Sequence, residues 1–307
     1  MRFVKMHGLG NDYVFVDGGT NHVDDPPALS RLVSDRHRGI GSDGLIIIDP
    51  PADPANHARM RMFNADGSRG EMCGNGIRCI GKYLVDRGIA ADATLRIETD
   101  GGVRRLGWRR GADDRVDAVE VDMGPPTLAV ERIPADLPGL GSRDTAIEWA
   151  FDPGAFGFDP AVMERAGIAS RLTLVSMGNP HVVIRCDDVG AVPLERFGPV
   201  VERHAWFSNR INVHFAAAEA PDSVRVVTWE RGSGATRACG SGACAVCVAG
   251  VLGGWATSPL RAALPGGVLD LRWSGDPAEP VMMTGPATEV FEGELDNAGI
   301  GRQETTP

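Results

Sequence analysis

The feature that most constrains this chain is that it nearly repeats itself. Gly10-Asn11 with Val14 returns as Gly178-Asn179 with Val182. Cys73-Gly74-Asn75-Gly76 returns as Cys239-Gly240-Ser241-Gly242. Gly101-Gly102-Val103 with Leu106 and Trp108 returns as Gly266-Gly267-Val268 with Leu271 and Trp273. Gly124-Pro125 returns as Gly285-Pro286. Single matches of this length arise by chance in a glycine-rich chain. An ordered series is different: the offset between copies shortens steadily from the first match to the last, which marks a duplication with small deletions in the second copy. The 307 residues suffice for about two domains. The repeat therefore predicts two related halves. The first is 1–126, carrying Cys73, with the tail 288–307 a candidate addition to it. The second is 127–287, carrying Cys239 and including a Pro-, Gly- and Asp-rich linker at 127–169.

Hydrophobic patterning gives both halves the same order of elements. Strands are expected at Arg2–Lys5, Tyr13–Val16, Leu45–Ile48 and Arg59–Phe63, with a short helix from Pro27 opened by Asp25. A helix follows Cys73 as far as Asp86, then a hairpin turns at Asp100-Gly101-Gly102. The second half repeats this with strands at Leu172–Ser176, His181–Arg185, Arg210–Phe215 and Val224–Trp229. A helix near Leu194–His204, a helix after Cys239 and a hairpin at Pro265-Gly266-Gly267 complete it. The expected class is α+β: two pseudo-symmetric domains, each a curled, mostly antiparallel sheet around a long helix, with the active site in the cleft between them.

Each duplicated cysteine stands immediately before a Gly-x-Gly that opens a helix. A helix N-terminus lowers a thiol pKa and offers first-turn amides to an anion. Each half thus offers a thiol beside a carboxylate-sized site. Two such halves facing each other would place one thiol on either side of a single carbon. That arrangement removes a proton from one face and returns one to the other. The remaining cysteines, Cys79, Cys186, Cys244 and Cys247, read as core packing. Cys244 and Cys247 form a C-x-x-C, but inside an apolar helical run and without a second pair at zinc spacing, so no metal is expected. A Cys/His hydrolase would need one such cysteine, not a symmetric pair.

Composition narrows the chemistry further. A formal charge of −10 argues against nucleic acid or an anionic membrane as partner. No apolar run reaches the roughly 20 residues of a spanning helix and the N-terminus lacks a signal-peptide pattern, so a cytoplasmic protein is expected. Lys5 and Lys82 are the only lysines. One falls in an expected strand and the other in the helix after Cys73, which leaves little scope for a Schiff-base cofactor.

With these residues in hand, the chain resembles the diaminopimelate epimerases. The resemblance is carried by Met6-His7-Gly8-Leu9-Gly10-Asn11-Asp12, Phe63-Asn64-Ala65-Asp66-Gly67-Ser68 and Glu71-Met72-Cys73-Gly74-Asn75-Gly76. It continues through Met177-Gly178-Asn179-Pro180-His181, Glu230-Arg231-Gly232-Ser233-Gly234 and Ala238-Cys239-Gly240-Ser241-Gly242. It implies a cofactor-independent epimerase, a homodimer, that converts L,L-diaminopimelate to the meso form for lysine and peptidoglycan-precursor synthesis. Cys73 and Cys239 would be the acid/base pair. Gly74, Asn75, Gly240 and Ser241 would hold the reacting carboxylate through their amides. Asn11, Asn179 and Glu230 would hold the reacting amine, and Asn64, Asn212 and Arg231 the distal end. His181 reads equally as a packing residue. Two departures stand out: Gly44 follows Asp43 where many members carry Gln, and Ala235 stands where the family often has an acid. The stretch Leu137–Phe158 has no assigned role. The competing readings are a proline- or hydroxyproline-racemase-like enzyme, for which Arg231 would have no second carboxylate to pair, and a catalytically dead amino-acid-binding relative.

Overall fold

The apolar runs at the start of the chain form strands β1 (Arg2–Gly8) and β2 (Asn11–Asp17). They pair antiparallel through a two-residue turn in which Leu9 and Gly10 both have positive φ, 57° and 83°. That turn matches strand twist and sets Asn11 opposite Gly8 at the hairpin's mouth. Helix α1 (Pro26–Ser34) follows, its N-terminus capped by the Asp25 carboxylate accepting from the Ala28 amide at 3.0 Å. Then come β3 (Gly44–Asp49), β4 (Ala58–Asn64), β5 (Arg69–Gly70), α2 (Gly74–Asp86), β6 (Thr94–Thr99), β7 (Gly102–Arg110) and β8 (Val116–Asp122). This is a computed structural model, and it describes residues 1–70 and 73–296. Glu71 and Met72 of the first cysteine motif, and the end of the tail from 297 to 307, lie outside the described residues.

The chain divides into two units: Met1–Val121 together with the segment from Gly285 onward, and Asp122–Thr284. The second contains β9 (Trp149–Ala150), α3 (Pro160–Ala166), β10 (Arg171–Ser176), β11 (Pro180–Arg185), α4 (Leu194–Glu202), β12 (Asn212–Ala220), β13 (Ser223–Glu230), β14 (Gly234–Thr236), α5 (Gly240–Leu252), β15 (Leu260–Leu264), β16 (Gly267–Arg272) and β17 (Met282–Gly285). The last strand, β18 (Thr288–Glu294), runs antiparallel to β1 in the first unit.

Strand pairing reproduces the duplication step by step. In the first unit β1–β2 and β3–β4 are antiparallel and β2–β3 is parallel. In the second, β10–β11 and β12–β13 are antiparallel and β11–β12 is parallel. β4–β6 and β13–β15 are the matching parallel pairs around each long helix. The register coincides too: Val14 pairs with Leu45, and their counterparts at the offset of the asparagine match, Val182 and Val213, pair with each other. The expected α+β class, a mostly antiparallel sheet with one long helix per copy, is what the chain adopts.

Both long helices are central and buried along nearly their whole length. α5 consists of small and apolar residues on every face, as a helix enclosed on all sides requires. α2 carries Arg78 and Lys82 into the interior and satisfies them there. The Arg78 guanidinium donates to the carbonyls of Gly74 and Pro286, and Lys82 to Asp86 and the Val116 carbonyl.

The segment 127–169 is not a linker in structural terms. Val130, Ile133, Leu137, Phe151, Phe156, Phe158, Val162 and Met163 pack into the core of the second unit against Leu172, Ile184, Phe197 and Phe215. Phe158 stacks on Phe197 with ring centroids 4.2 Å apart. Pro, Gly and Asp mark its turns and caps, Asp152 and Asp159 at two helix starts, while aromatics between them supply the buried surface.

Candidate active site

Cys73 is the N-cap of α2 and Cys239 the N-cap of α5, both with extended backbone. Neither side chain caps its helix. Each thiol is thus carried at the helix mouth, and the first-turn amides of Gly74–Asn75 and Gly240–Ser241 are among those no intrahelical carbonyl can satisfy. Cys73 is partly exposed and Cys239 is 5% exposed. The second glycine of each Gly-x-Gly serves packing. A Cβ on Gly76 would stand 2.4 Å from Ile46 Cδ1, and one on Gly242 would stand 2.2 Å from His214 Cε1. Ile46 and His214 are themselves repeat equivalents, each one place after the strand residues paired above. Both helices sit close on the same strand position for lack of a side chain there.

Around Cys73 the polar groups form a connected set. Asn11 Nδ2 donates to Asp43 Oδ2 at 2.8 Å, which turns Asn11 Oδ1 toward the sulfur. That oxygen accepts from Cys73 Sγ at 3.5 Å and from Asn75 Nδ2 at 3.2 Å. Asn75 Oδ1 accepts from buried Arg78 at 2.8 Å. Tyr13, 4% exposed, donates its hydroxyl to Cys73 Sγ at 3.6 Å. Arg36 bridges Asp12 at 2.7 Å and Asp43 at 2.9 Å, and Lys5 pairs with Asp12 at 2.8 Å. Burial alone would raise the Asp12 carboxyl pKa; hydrogen bonds from Arg36 and Lys5 outweigh it and hold the group below the usual range. Both lysines of the chain are thus engaged in ion pairs, Lys82 with Asp86 at 2.7 Å.

In the second unit Cys239 Sγ lies 3.7 Å from Ser241 Oγ. Beneath α5 runs a buried chain of hydrogen bonds: Thr228 Oγ1 to His214 Nδ1, His214 Nε2 to His181 Nδ1, and His181 Nε2 to Asn179 Oδ1, each 2.9 Å. An amide oxygen only accepts, so His181 holds its proton on Nε2, His214 holds its own on Nε2, and Thr228 donates. Each imidazole then carries one proton. Burial drives both pKa values down, that of His214 to about 3. The chain leaves Asn179 presenting its N–H donors rather than its oxygen.

The other predicted residues fall into two groups. Asn64 Nδ2 donates to Ser68 Oγ at 2.9 Å at the end of β4. Asn212, 3% exposed, donates to the Pro180 carbonyl at 2.8 Å and accepts the Arg231 amide at 2.9 Å, holding backbone on either side. Glu230 accepts from Thr236 Oγ1 at 2.6 Å on β14. Arg231 is exposed, with one guanidinium nitrogen on the Asn209 carbonyl at 3.1 Å. Glu202, 2% exposed, accepts from Trp229 Nε1 at 2.8 Å and the Gly232 amide at 2.9 Å, tying down the loop that carries Arg231. Sequence reasoning did not single out Tyr13, Arg36, Asp43, His214, Thr228 or Glu202. The repeat held a signal for Tyr13: its equivalent is His181, and both are buried polar residues two places after a duplicated asparagine.

Among the described residues no helix is long and apolar enough to cross a membrane, and no cluster of His, Cys, Asp and Glu is arranged to hold a metal ion.

The diaminopimelate epimerase family profile matches residues 3–129 and 173–290. A diaminopimelate epimerase of Stutzerimonas stutzeri is 42% identical over 296 residues, covering 96% of this chain and 99% of that protein. One of Halorhodospira halophila is 44% identical over 297 residues, covering 96% and 95%. Solved structures share the fold at low identity. A PhzF-family phenazine biosynthesis protein of Bacillus anthracis aligns with a TM-score of 0.67 at 14% identity, covering 96% of this chain and 98% of that one. A hydroxyproline epimerase of Agrobacterium vitis gives 0.61 at 18% identity, covering 98% and 94%. On the match across both copies and the near-complete coverage of its relatives, this chain belongs to the diaminopimelate epimerase family, an isomerase family.

Proposed function

We propose that this epimerase converts L,L-2,6-diaminopimelate to the meso isomer without a cofactor, by two-base exchange at one α-carbon. The observation that carries the reading is the duplicated half-site: a thiol at the N-cap of a buried helix, not used as a cap, beside first-turn amides. One cysteine, as thiolate, takes the α-proton. The other, as thiol, gives its proton to the opposite face, so the thiol and thiolate roles exchange with each turnover. The first-turn amides of Gly74, Asn75, Gly240 and Ser241 stabilise the carboxylate on which the carbanion's charge develops. The mechanism requires both sulfurs to address one carbon from opposite faces.

Asn11 orients the Cys73 thiol, and Asn212 orients Arg231, rather than each holding substrate alone. Asn179 offers N–H donors, which suit a carboxylate better than an ammonium. Glu230 remains the acceptor for an ammonium group. Arg231 pairs the distal carboxylate through its planar fork, with Asn64 beside it. The product would feed lysine and peptidoglycan-precursor synthesis in the cytoplasm, and the working form would be a homodimer.

The test is turnover of L,L-diaminopimelate in D2O without added cofactor. Solvent deuterium at the inverted α-carbon is expected. Inversion without deuterium would refute two-base exchange. Cys73→Ala and Cys239→Ala should each abolish inversion; a variant keeping a tenth of the activity would remove that cysteine from the mechanism. L-proline, which gives Arg231 no second carboxylate, should undergo no exchange.

A further inference from the structure

Tyr13 is a buried phenol whose hydroxyl is bound into the Cys73 site, yet the proposed reaction assigns it nothing. We propose that Tyr13 is the positioning residue that stabilises Cys73 as a thiolate, in opposition to Asn11, which stabilises it as a thiol. The inference rests on Cys73 serving as an acid/base, and deepens that reading.

The geometry is that of two opposed partners on one sulfur. Tyr13 donates its O–H to Sγ at 3.6 Å, and Asn11 Oδ1 accepts from Sγ at 3.5 Å. Asn11 keeps its oxygen on the sulfur side, because Nδ2 donates to Asp43 at 2.8 Å. When Cys73 is a thiol, S–H has an acceptor in Asn11. When it loses the proton, the Asn11 oxygen becomes an unfavourable neighbour, and the Tyr13 hydroxyl makes a charge-assisted hydrogen bond instead. A group that alternates between base and acid needs both forms held. The phenol itself stays protonated: burial pushes its pKa well above the usual value, Cys73 and Asp43 nearby push it further, and a hydrogen bond with Asn11 offsets only part of this.

The Tyr13 ring edge lies against position 44, which has no side chain. A Cβ on Gly44 would stand 2.2 Å from the Phe63 carbonyl and 3.0 Å from the Tyr13 ring edge. Gly44 is one of the two departures from the family pattern, and its repeat equivalent in the second unit is Asn212, which carries a polar side chain. In the first unit the polar group at this place comes from the neighbouring strand. The phenol therefore takes up the space and the hydrogen-bonding capacity that the missing side chain gives up.

The charged groups around the pair are Asp43 with Arg36 on the approach to β3, Asp12 on β2 and Lys5 on β1. Arg78 and Cys79 on α2 also stand near, Arg78 through Asn75. All remain in place when only the Tyr13 oxygen is removed.

The experiment reads the thiol directly. The rate of Cys73 alkylation by iodoacetamide is followed against pH, by mass spectrometry of its peptide, in the parent chain and in Tyr13→Phe. The ring and its packing are kept and the donor is lost. Loss of a hydrogen bond to a charged group should raise the midpoint by about one unit, about tenfold in thiolate fraction below it. The acidic limb of kcat/KM should move by the same amount in the direction that uses Cys73 as base. A second variant reverses the sign. The chain has two tyrosines. In a Tyr83→Phe background, biosynthetic replacement by 3-fluorotyrosine makes the Tyr13 phenol a stronger donor, and the midpoint should fall. A role in packing alone would leave both midpoints where they were, and that result overturns the proposal. Midpoints that shift in a protein without epimerase activity would support Tyr13 and refute the function. An active epimerase with unmoved midpoints would do the reverse.

Discussion

The buried imidazole pair makes the second unit sensitive to acid, and the size of the effect follows from burial. His214 and His181 are fully enclosed, and each carries one proton in a chain of one-directional hydrogen bonds. Adding a second proton to either would place two N–H groups against a donor or leave a charge without solvent. The folded-state pKa of His214 is accordingly depressed to about 3, against 6.5 in an unfolded chain. The sign follows from linkage. Between those values the unfolded state binds more protons, so the stabilising contribution is complete above pH 6.5 and is lost as pH falls toward 3. Lowering the pH from 6.5 to 4.5 costs on the order of 2 kcal/mol from His214 alone. His181 adds a loss of the same sign, because burial lowers its pKa too. The assay is urea unfolding at pH 7.5 and pH 4.5, followed by tryptophan fluorescence. Of the six tryptophans, all but Trp108 lie in Asp122–Thr284, so the signal reports chiefly on this unit. His214→Gln combined with His181→Gln replaces both titrating groups with neutral polar ones. The double variant should be less stable at pH 7.5 yet lose less than the parent between the two pH values, by roughly 2–3 kcal/mol or more. Equal losses in the two proteins would mean that neither histidine is held neutral by the fold, and the reasoning would fail.

Three further outcomes are expected. Phe156→Ala should destabilise the second unit by about 3–5 kcal/mol in the same urea assay, because it empties core in the segment 127–169; a cost under about 1 kcal/mol would return that segment to the status of a loop. Gly242→Ala places a methyl 2.2 Å from the His214 ring carbon. It should cost about 1–3 kcal/mol by overpacking and should lower kcat by displacing the helix mouth at Cys239; unchanged stability and kcat would show that the helix has room to spare. Cys79 and Cys247 are fully buried, and burial pushes their thiols up to about 12, as it does Cys186. In the native protein at pH 8, peptide mapping after brief iodoacetamide treatment should find Cys73 labelled well ahead of all three. Comparable labelling would contradict the burial assigned to them.

The place of both cysteines at helix starts was legible in the sequence because the signal is local. Each cysteine stands one residue ahead of a Gly-x-Gly that opens a helix, a pattern confined to a single turn and repeated in both copies. What escaped depends on contacts made far along the chain. Tyr13 meets Cys73 from the far end of the first unit's sequence, and His181 meets His214 through the β11–β12 parallel crossover. Side-chain alternation along a single strand says that such a residue is buried, but not which polar group it will face. An asparagine by itself does not reveal which end of its amide its own chain engages; Asp43 takes the Asn11 nitrogen, and the Arg231 amide and Pro180 carbonyl engage Asn212.

The sequence by itself determined the duplication, the order of elements in each copy and the pair of helix-mouth cysteines. These follow from short-range periodicity, turn residues and capping, which act over a few residues and recur at a near-constant offset. Tertiary structure alone decided that 127–169 is core, that Gly76 and Gly242 are packing contacts, and that the two thiols have different surroundings, a phenol and an amide oxygen at Cys73 and a serine at Cys239. The duplicated backbone is common to both halves. The side chains found against the sulfurs, Tyr13 and Asn11 at Cys73 and Ser241 at Cys239, are not.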